Sequence, residues 1–247
     1  MKVFAIANQK GGVGKSTIAC HLSWYLQELG HRVLHIDLDP QGNSSSTLSA
    51  FATSTTASAF FLPEAPIVEP IDGGLSLVAA DSDLLEIERA SNSVMKYFAD
   101  AVLAQEDSFD YIVIDTAPTA GIKMSAALAA STDVFSPIEL ESYSMDGFKS
   151  LIKTIIYVKQ KLNPKMNFIG ALPNRFNAVS PTQKKNLNEL LETAGAYLVP
   201  THIPTRSAIS EAIAEGIPVW KSTKSSAREA GRDLKKVLDM ILERSSK

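Results

Sequence analysis

Short apolar runs alternate along the chain with longer stretches of helical period. Val3–Ala7, Val33–Ile36, Leu75–Ala79, Tyr111–Ile114, Val134–Ser136 and Phe168–Leu172 predict strands. The first, second and fourth do not alternate apolar with polar positions, as expected of strands buried on both faces of a parallel sheet. Between them, Ser16–Gly30 and Met145–Leu162 predict helices, the first stopping at Gly30 and the second before Asn163-Pro164. This β-α-β-α order predicts an α/β fold, doubly wound, with a mostly parallel sheet and helices on both faces. No internal repeat or dividing linker interrupts it. The biased stretch SSSTLSAFATSTTASAFF, Ser44–Phe61, is expected to be a surface loop with helix caps.

Composition narrows the class. With 247 residues, 45% of them hydrophobic, the chain can bury one large core or at most two small ones. A net charge of −3 argues against a global basic field, so any nucleic-acid surface must be local. One cysteine, Cys20, leaves no disulfide framework and no cysteine-ligated metal site within one chain, and fits a reducing cytoplasm. The opening MKVFAIANQK holds too short an apolar run for a signal peptide. No stretch approaches the roughly 20 apolar residues that span a bilayer.

Candidate chemistry begins at NQKGGVGKST, Asn8–Thr17. A strand, a glycine-rich loop and a helix starting near Lys15 gather backbone N–H groups at a helix N-terminus, which suits phosphate. Gly14, Lys15 and Ser16 end the P-loop pattern G-x-x-x-x-G-K-[ST], but Gln9 stands where its first glycine belongs and a second lysine, Lys10, follows. Lys15 can reach the β- and γ-phosphates, and Ser16 can ligate Mg²⁺. Strand ends beside the loop carry Asp115, in YIVIDTAPTAG, and Asp37 and Asp39, in VLHIDLDPQGN. A strand-end aspartate can simply cap a helix or form a turn; three of them beside a P-loop also suit a metal site.

KGGVGKST resembles the deviant Walker A motif of the ParA/MinD/Soj group of P-loop ATPases, VLHIDLDPQGN its second motif, and YIVIDTAPTAG its Walker B segment and following switch. The similarity continues through FSPIELESYSMDGFKSL, ALPNRFN and HIPTRSAISEAIAEGIPVW, and is strongest towards the short, IncC-like ParA partition ATPases. It implies one P-loop ATPase domain over residues 1–247, without an N-terminal helix-turn-helix domain. ATP would lie on Gly11, Gly12, Val13, Gly14, Lys15, Ser16 and Thr17, with Asn174 at the adenine and the Pro204–Arg206 turn closing the base pocket. The resemblance assigns catalytic roles to Lys10, Lys15 and Asp39: Lys10 would reach the partner subunit's ATP, and Asp39 would orient the attacking water. Mg²⁺ would be held by Ser16 and Asp115, with Asp37 supporting that network. Slow hydrolysis is implied, and the four histidines, His21, His31, His35 and His202, fit packing or surface positions better than catalysis.

The resemblance further implies an ATP-dependent homodimer, non-specific DNA as its target, a ParB-type partner that stimulates hydrolysis, and a cytoplasmic, nucleoid-associated location. From Lys221 to Lys247 eight basic residues face four acidic ones. That excess is either a solvated helix face or a phosphate-binding surface, with Arg206, Lys221, Lys224 and Arg228 the first choices for DNA contact. A MinD-like membrane-associated relative would need a bulky apolar C-terminal face, whereas DLKKVLDMILERSSK carries Asp239 and Glu243 and reads as a packed last helix, so no membrane contact is expected. An iron–sulfur relative would need paired cysteines. A small-substrate ligase would share the phosphate loop but not the PNRFN and SEAIAEGIPV stretches.

Overall fold

The computed structural model describes residues 1–141 and 145–245, with the side chains of 145 and 146 left aside. Residues 142–144 of the FSPIELESYSMDGFKSL stretch, and Lys247 of the C-terminal basic count, lie outside the described residues. In chain order the elements are β1 (Lys2–Ile6), α1 (Lys15–Glu28), β2 (Val33–Asp37), α2 (Asn43–Thr47), β3 (Ala52–Thr56), β4 (Leu75–Ala79), α3 (Leu84–Ile87) and α4 (Val94–Leu103). There follow β5 (Tyr111–Asp115), α5 (Ile122–Ala130), β6 (Asp133–Glu139), α6 (Met145–Lys161), β7 (Asn167–Asn174), α7 (Pro181–Ala194), α8 (Ser207–Ala214) and α9 (Ser225–Ser245).

The seven strands form one sheet in the order β3-β4-β2-β5-β1-β6-β7, every pairing parallel. Alternate side chains of each central strand enter opposite cores, which is why the strands read as unbroken apolar runs. Phe4, Ile6 and Val113 pack with α1, α8 and α9 residues such as Leu22, Ala212 and Leu238. Val3, Ala5, Ile112 and Ile114 pack on the other face with Phe98, Met124 and Ile155 of α4, α5 and α6. Burying each of the larger side chains contributes about 1.5–3 kcal/mol, so the doubly wound arrangement follows from the strands themselves. The apolar stripe of α9, comprising Leu234, Val237, Leu238 and Ile241, is part of the first core.

Two sequence expectations need correction. Ser44–Phe61 is not a surface loop. It contains α2, the edge strand β3 and a 3-10 turn at Ala57–Phe61 that buries Phe60 and Phe61. Phe61 stacks on Phe98 at 4.8 Å between ring centroids, so the aromatic pair ending the stretch anchors what its Ser/Thr composition had suggested was solvated. Both β6 and β7 also run further than expected, past Pro137 and Pro173, residues that usually mark strand ends.

β7 carries a bulge that brings the chain into close contact with its neighbour. Its register on β6 shifts between Val134, opposite Phe168, and Phe135, opposite Gly170. Gly170 has φ 135°, and a Cβ there would sit 3.0 Å from the Tyr197 carbonyl oxygen and 3.1 Å from the Val199 nitrogen. Gly170→Ala is expected to cost roughly 1–3 kcal/mol, measured as a lowered melting temperature. An unchanged melt would show that the 197–199 segment yields.

Candidate active site

Parallel pairing places Asp37 directly opposite Asp115 and Asp115 beside Ile6, so both carboxylates meet the loop that follows β1. That loop is braced from outside. Asn8 Nδ2 donates to the Pro137 carbonyl at 2.8 Å while its Oδ1 accepts the Lys10 N–H at 2.9 Å. Gln9, the residue in place of the usual glycine, is gripped by α6: its Nε2 donates to Thr154 Oγ1 at 3.0 Å, and Ser150 Oγ donates to its Oε1 at 3.1 Å. At the other end of the loop Asn174 Nδ2 donates to the Val13 carbonyl at 2.8 Å. Gly14 is left-handed (φ 93°), and a Cβ on it would meet that amide at 2.3 Å, so glycine is required there on both counts.

Below the loop opens a cleft of about 860 Å³ lined by Gly11, Gly12, Gly14, the Lys15–Thr17 turn and Asp39. Lys15 is only 6% exposed. Its Nζ donates to the Lys10 carbonyl at 3.3 Å, and burial lowers its pKa against the opposing pull of Asp115 and Asp39. Lys10 is exposed.

The aspartates differ sharply in surroundings. Asp37 is buried but satisfied: Oδ1 accepts from the Asp39 N–H at 3.0 Å, and Oδ2 from the Ser45 N–H and hydroxyl at 2.8 and 2.7 Å. Burial raises its pKa and these donors oppose the rise. Asp39 Oδ1 accepts the Gln41 N–H at 3.0 Å. Asp115 is fully buried, and neither of its oxygens receives a well-formed hydrogen bond; the buried Ser44 hydroxyl is likewise unpartnered. Burial first, then the Asp37 charge, push the Asp115 pKa up to about 8, against Ser16, Ser44 and Lys15.

Orphaned oxygens on a buried carboxylate and an adjacent serine fit a hard cation. Among the described residues no group of three or more His, Cys, Asp or Glu could hold a metal. Mg²⁺ keeps several waters and shares phosphate oxygens rather than sitting in an all-protein cage, so one carboxylate and a hydroxyl are enough protein ligands for it.

Asn174 and Pro204 line a second, smaller pocket together with Thr17, Ile18, Arg206 and Ile209. Beside it Phe176 bridges Pro204 in parallel, and its N–H donates to the Ile203 carbonyl at 2.9 Å. Of the basic residues singled out for DNA, three are engaged within the chain. Arg206 pairs with Glu229 at 2.8 Å and Asp233 at 3.2 Å, Lys224 with Glu211 and Glu215 at 2.8 and 2.9 Å, and Lys221 with Glu28 at 3.1 Å. Arg228 is exposed on α9. None of the histidines enters the cleft. His21 and His35 are fully buried, with burial pushing their pKa values down to about 4 and about 3. His31 lies on the Tyr111 ring and His202 edge-on to Phe176.

Sequence reasoning missed Ser44, Ser45 and Arg175. The serines follow directly on DLDPQGN, and that adjacency was the available signal. Arg175, also lining the cleft, donates from Nη1 to the Gly12 carbonyl at 3.1 Å and to Glu139 at 2.8 Å.

A parallel doubly wound sheet whose first strand opens into a glycine-rich loop, with a buried lysine and strand-end carboxylates beneath it, defines a P-loop nucleotide-binding protein. Residues 1–168 match the family model described as an AAA domain. The chain is 40% identical over 252 residues to protein IncC of Escherichia coli, covering 98% of this chain and 69% of that one. It is 34% identical over 230 residues to the chromosome partitioning protein ParA of Caulobacter vibrioides, covering 89% and 86% respectively. It also matches the structure of a cobyrinic acid a,c-diamide synthase from Mycobacterium smegmatis with bound ADP and magnesium. There the TM-score is 0.78 at 26% identity, over 100% of this chain and 96% of that one. The chain belongs to the ParA/IncC family of partition ATPases.

The raised Asp115 pKa has a consequence for stability. Without a cation the folded state keeps a proton that the unfolded chain releases above about 4, so the stability of the metal-free chain falls as pH rises from there towards about 8. Asp115→Asn is expected to flatten that dependence and raise the melting temperature at pH 8 in EDTA, by about 2–4 °C for each kcal/mol relieved. Equal melts for variant and wild type at pH 5 and pH 8 would show the carboxylate to be compensated already.

Proposed function

We propose that this chain is an ATP-dependent partition switch that dimerises around ATP, binds DNA without sequence preference and releases it on hydrolysis stimulated by a ParB-type partner. The observation that carries this reading is the pair of lysines on one loop, Lys15 buried at the cleft and Lys10 exposed above it. A buried lysine suits the phosphates of the chain's own nucleotide. An exposed one suits phosphates across an interface, where it would stabilise developing charge as an arginine finger does. Nucleotide would then be part of the interface and bias the dimer by its differential affinity for that state.

In this reading the N–H groups of Gly11–Thr17 hold the phosphates and Ser16 and Asp115 hold Mg²⁺. Bound there, the ion neutralises phosphate charge. Asp37 keeps the 37–45 turn in place through Ser45, and Asp39 orients water at the cleft wall. Asn174 and Pro204 border the base pocket. The C-terminal cations Arg206, Lys221, Lys224 and Arg228 would face DNA. Exposed ion pairs of the kind three of them make are worth about 0–1 kcal/mol, weak enough for phosphate to compete. The dimer would act on a cytoplasmic nucleoid. Burial of the α9 apolar stripe favours DNA over a membrane as the target, and among the described residues no helix is long and apolar enough to cross a bilayer.

Binding to a long arbitrary duplex should be strong with ATP, weak with ADP, and steeply lost between ~50 and ~200 mM salt. ATP-dependent dimerisation without DNA binding at low salt would send the search to another target. Lys10→Ala should keep ATP binding but lose the dimer, with stimulated hydrolysis falling at least ~10²-fold. A variant that dimerises normally on ATP would remove Lys10 from the interface.

A further inference from the structure

Arg175 is the one described non-glycine residue with a positive φ, 52°. An arginine gains nothing locally from that conformation, which costs roughly 1–2 kcal/mol, and such residues persist where their surroundings over-determine them. Here the surroundings do so on both sides. Thr205 Oγ1 donates to the Arg175 carbonyl at 2.8 Å, and the next residue is pinned by the Phe176 N–H on the Ile203 carbonyl at 2.9 Å. The left-handed turn at the end of β7 carries the half-exposed guanidinium back over the phosphate loop, where Nη1 reaches both the Gly12 carbonyl and the Glu139 carboxylate.

Asn174 holds the Val13 carbonyl, so two adjacent side chains hold two consecutive carbonyls of the loop. In a planar trans peptide the C=O and the following N–H point in opposite directions. Fixing the Gly12 and Val13 carbonyls towards residues 174 and 175 therefore fixes the Val13 and Gly14 N–H groups away from them, in the sense a bound phosphate requires. Glu139 orients the guanidinium through the same Nη1.

We propose that Arg175 is a positioning residue for nucleotide binding: its guanidinium, oriented by Glu139, locks the Gly12–Val13 peptide so that the loop is set for phosphate before nucleotide arrives. This rests on the nucleotide reading above. It concerns the loop rather than any one phosphate, so it predicts equal effects on nucleotides that differ only at the γ position.

The test is the affinity for fluorescent ADP and for a non-hydrolysable ATP analogue in wild type, Arg175→Gly, Arg175→Ala, Arg175→Lys and Glu139→Gln. Glycine keeps the left-handed backbone and removes only the side chain. Arg175→Gly is expected to weaken both ligands alike, by about tenfold, without lowering the nucleotide-free melting temperature. Arg175→Lys should recover part of the affinity, and Glu139→Gln should show a smaller loss with the same ADP-to-ATP balance. Unchanged affinity in Arg175→Gly overturns the proposal. So does a loss confined to the ATP analogue, which would make Arg175 a direct γ-phosphate contact, or a loss in Arg175→Ala that glycine fully restores, which would make the effect one of backbone strain. Failure of the wild type to bind either nucleotide would instead overturn the reading of the site itself.

Discussion

Two carboxylates share the carboxyl edge of the sheet, and the rest of the cleft is arranged around their charge. Because β2 and β5 are parallel neighbours in register, Asp37 and Asp115 lie opposite one another at the ends of their strands. Like charges that close in a poorly solvated interior repel strongly. The chain answers the problem for one of them only: Ser45 and the Asp39 N–H solvate Asp37. Asp115 is left with nearby serine hydroxyls and the Lys15 ammonium, which do not offset its burial and the Asp37 charge, so its pKa stays raised. The same arrangement explains why Ser45 also accepts the Ala80 N–H: the turn after β2 is tied to the end of β4, which keeps the satisfied carboxylate in place beside the unsatisfied one.

A phosphate loop raises the opposite problem. Turning N–H groups inward turns carbonyls outward, where they must find partners. In this chain Arg175 and Asn174, at the end of β7, donate to the Gly12 and Val13 carbonyls, while Pro137 holds the Asn8 side chain and Ser150 and Thr154 of α6 hold that of Gln9. That gives a physical use to the glutamine that displaces the first glycine of the usual pattern. A glycine there would leave α6 nothing to hold, and the position of Lys10 would then rest on Asn8 alone among these braces.

Much of this was legible in the sequence. Strands buried on both faces announce themselves as unbroken apolar runs, so β1, β2 and β5 could be read directly and the sheet inferred from their order. GKS at the start of α1 and aspartates at two strand ends carried the site, because the chemistry of phosphate and Mg²⁺ constrains residue type closely. What escaped was decided by tertiary contact. β3 reads as a serine–threonine tract, since an edge strand needs little apolar surface, and only the packing of Phe61 on Phe98 shows that its flank is core. Arg175 drew no attention because nothing in PNRFN signals a left-handed backbone. The C-terminal basic excess was countable, but the Glu28 carboxylate that pairs with both Lys221 and Lys235 comes from α1, at the far end of the sequence.

The placement of β3 also bears on how the molecule keeps to itself. A parallel sheet ends in two rims of unpaired backbone groups, each able to template another chain. On the β7 side the rim is occupied, since Val199 donates to the Ala171 carbonyl and Ile203 to that of Pro173. On the β3 side the sheet ends in five residues, ATSTT, paired irregularly with β4, and Thr53 turns its hydroxyl onto the Leu77 carbonyl. A short, uneven, hydroxyl-rich margin offers an incoming strand neither a matching register nor an apolar strip to cover. The segment that looked least structured in the sequence thus caps the sheet against unplanned growth.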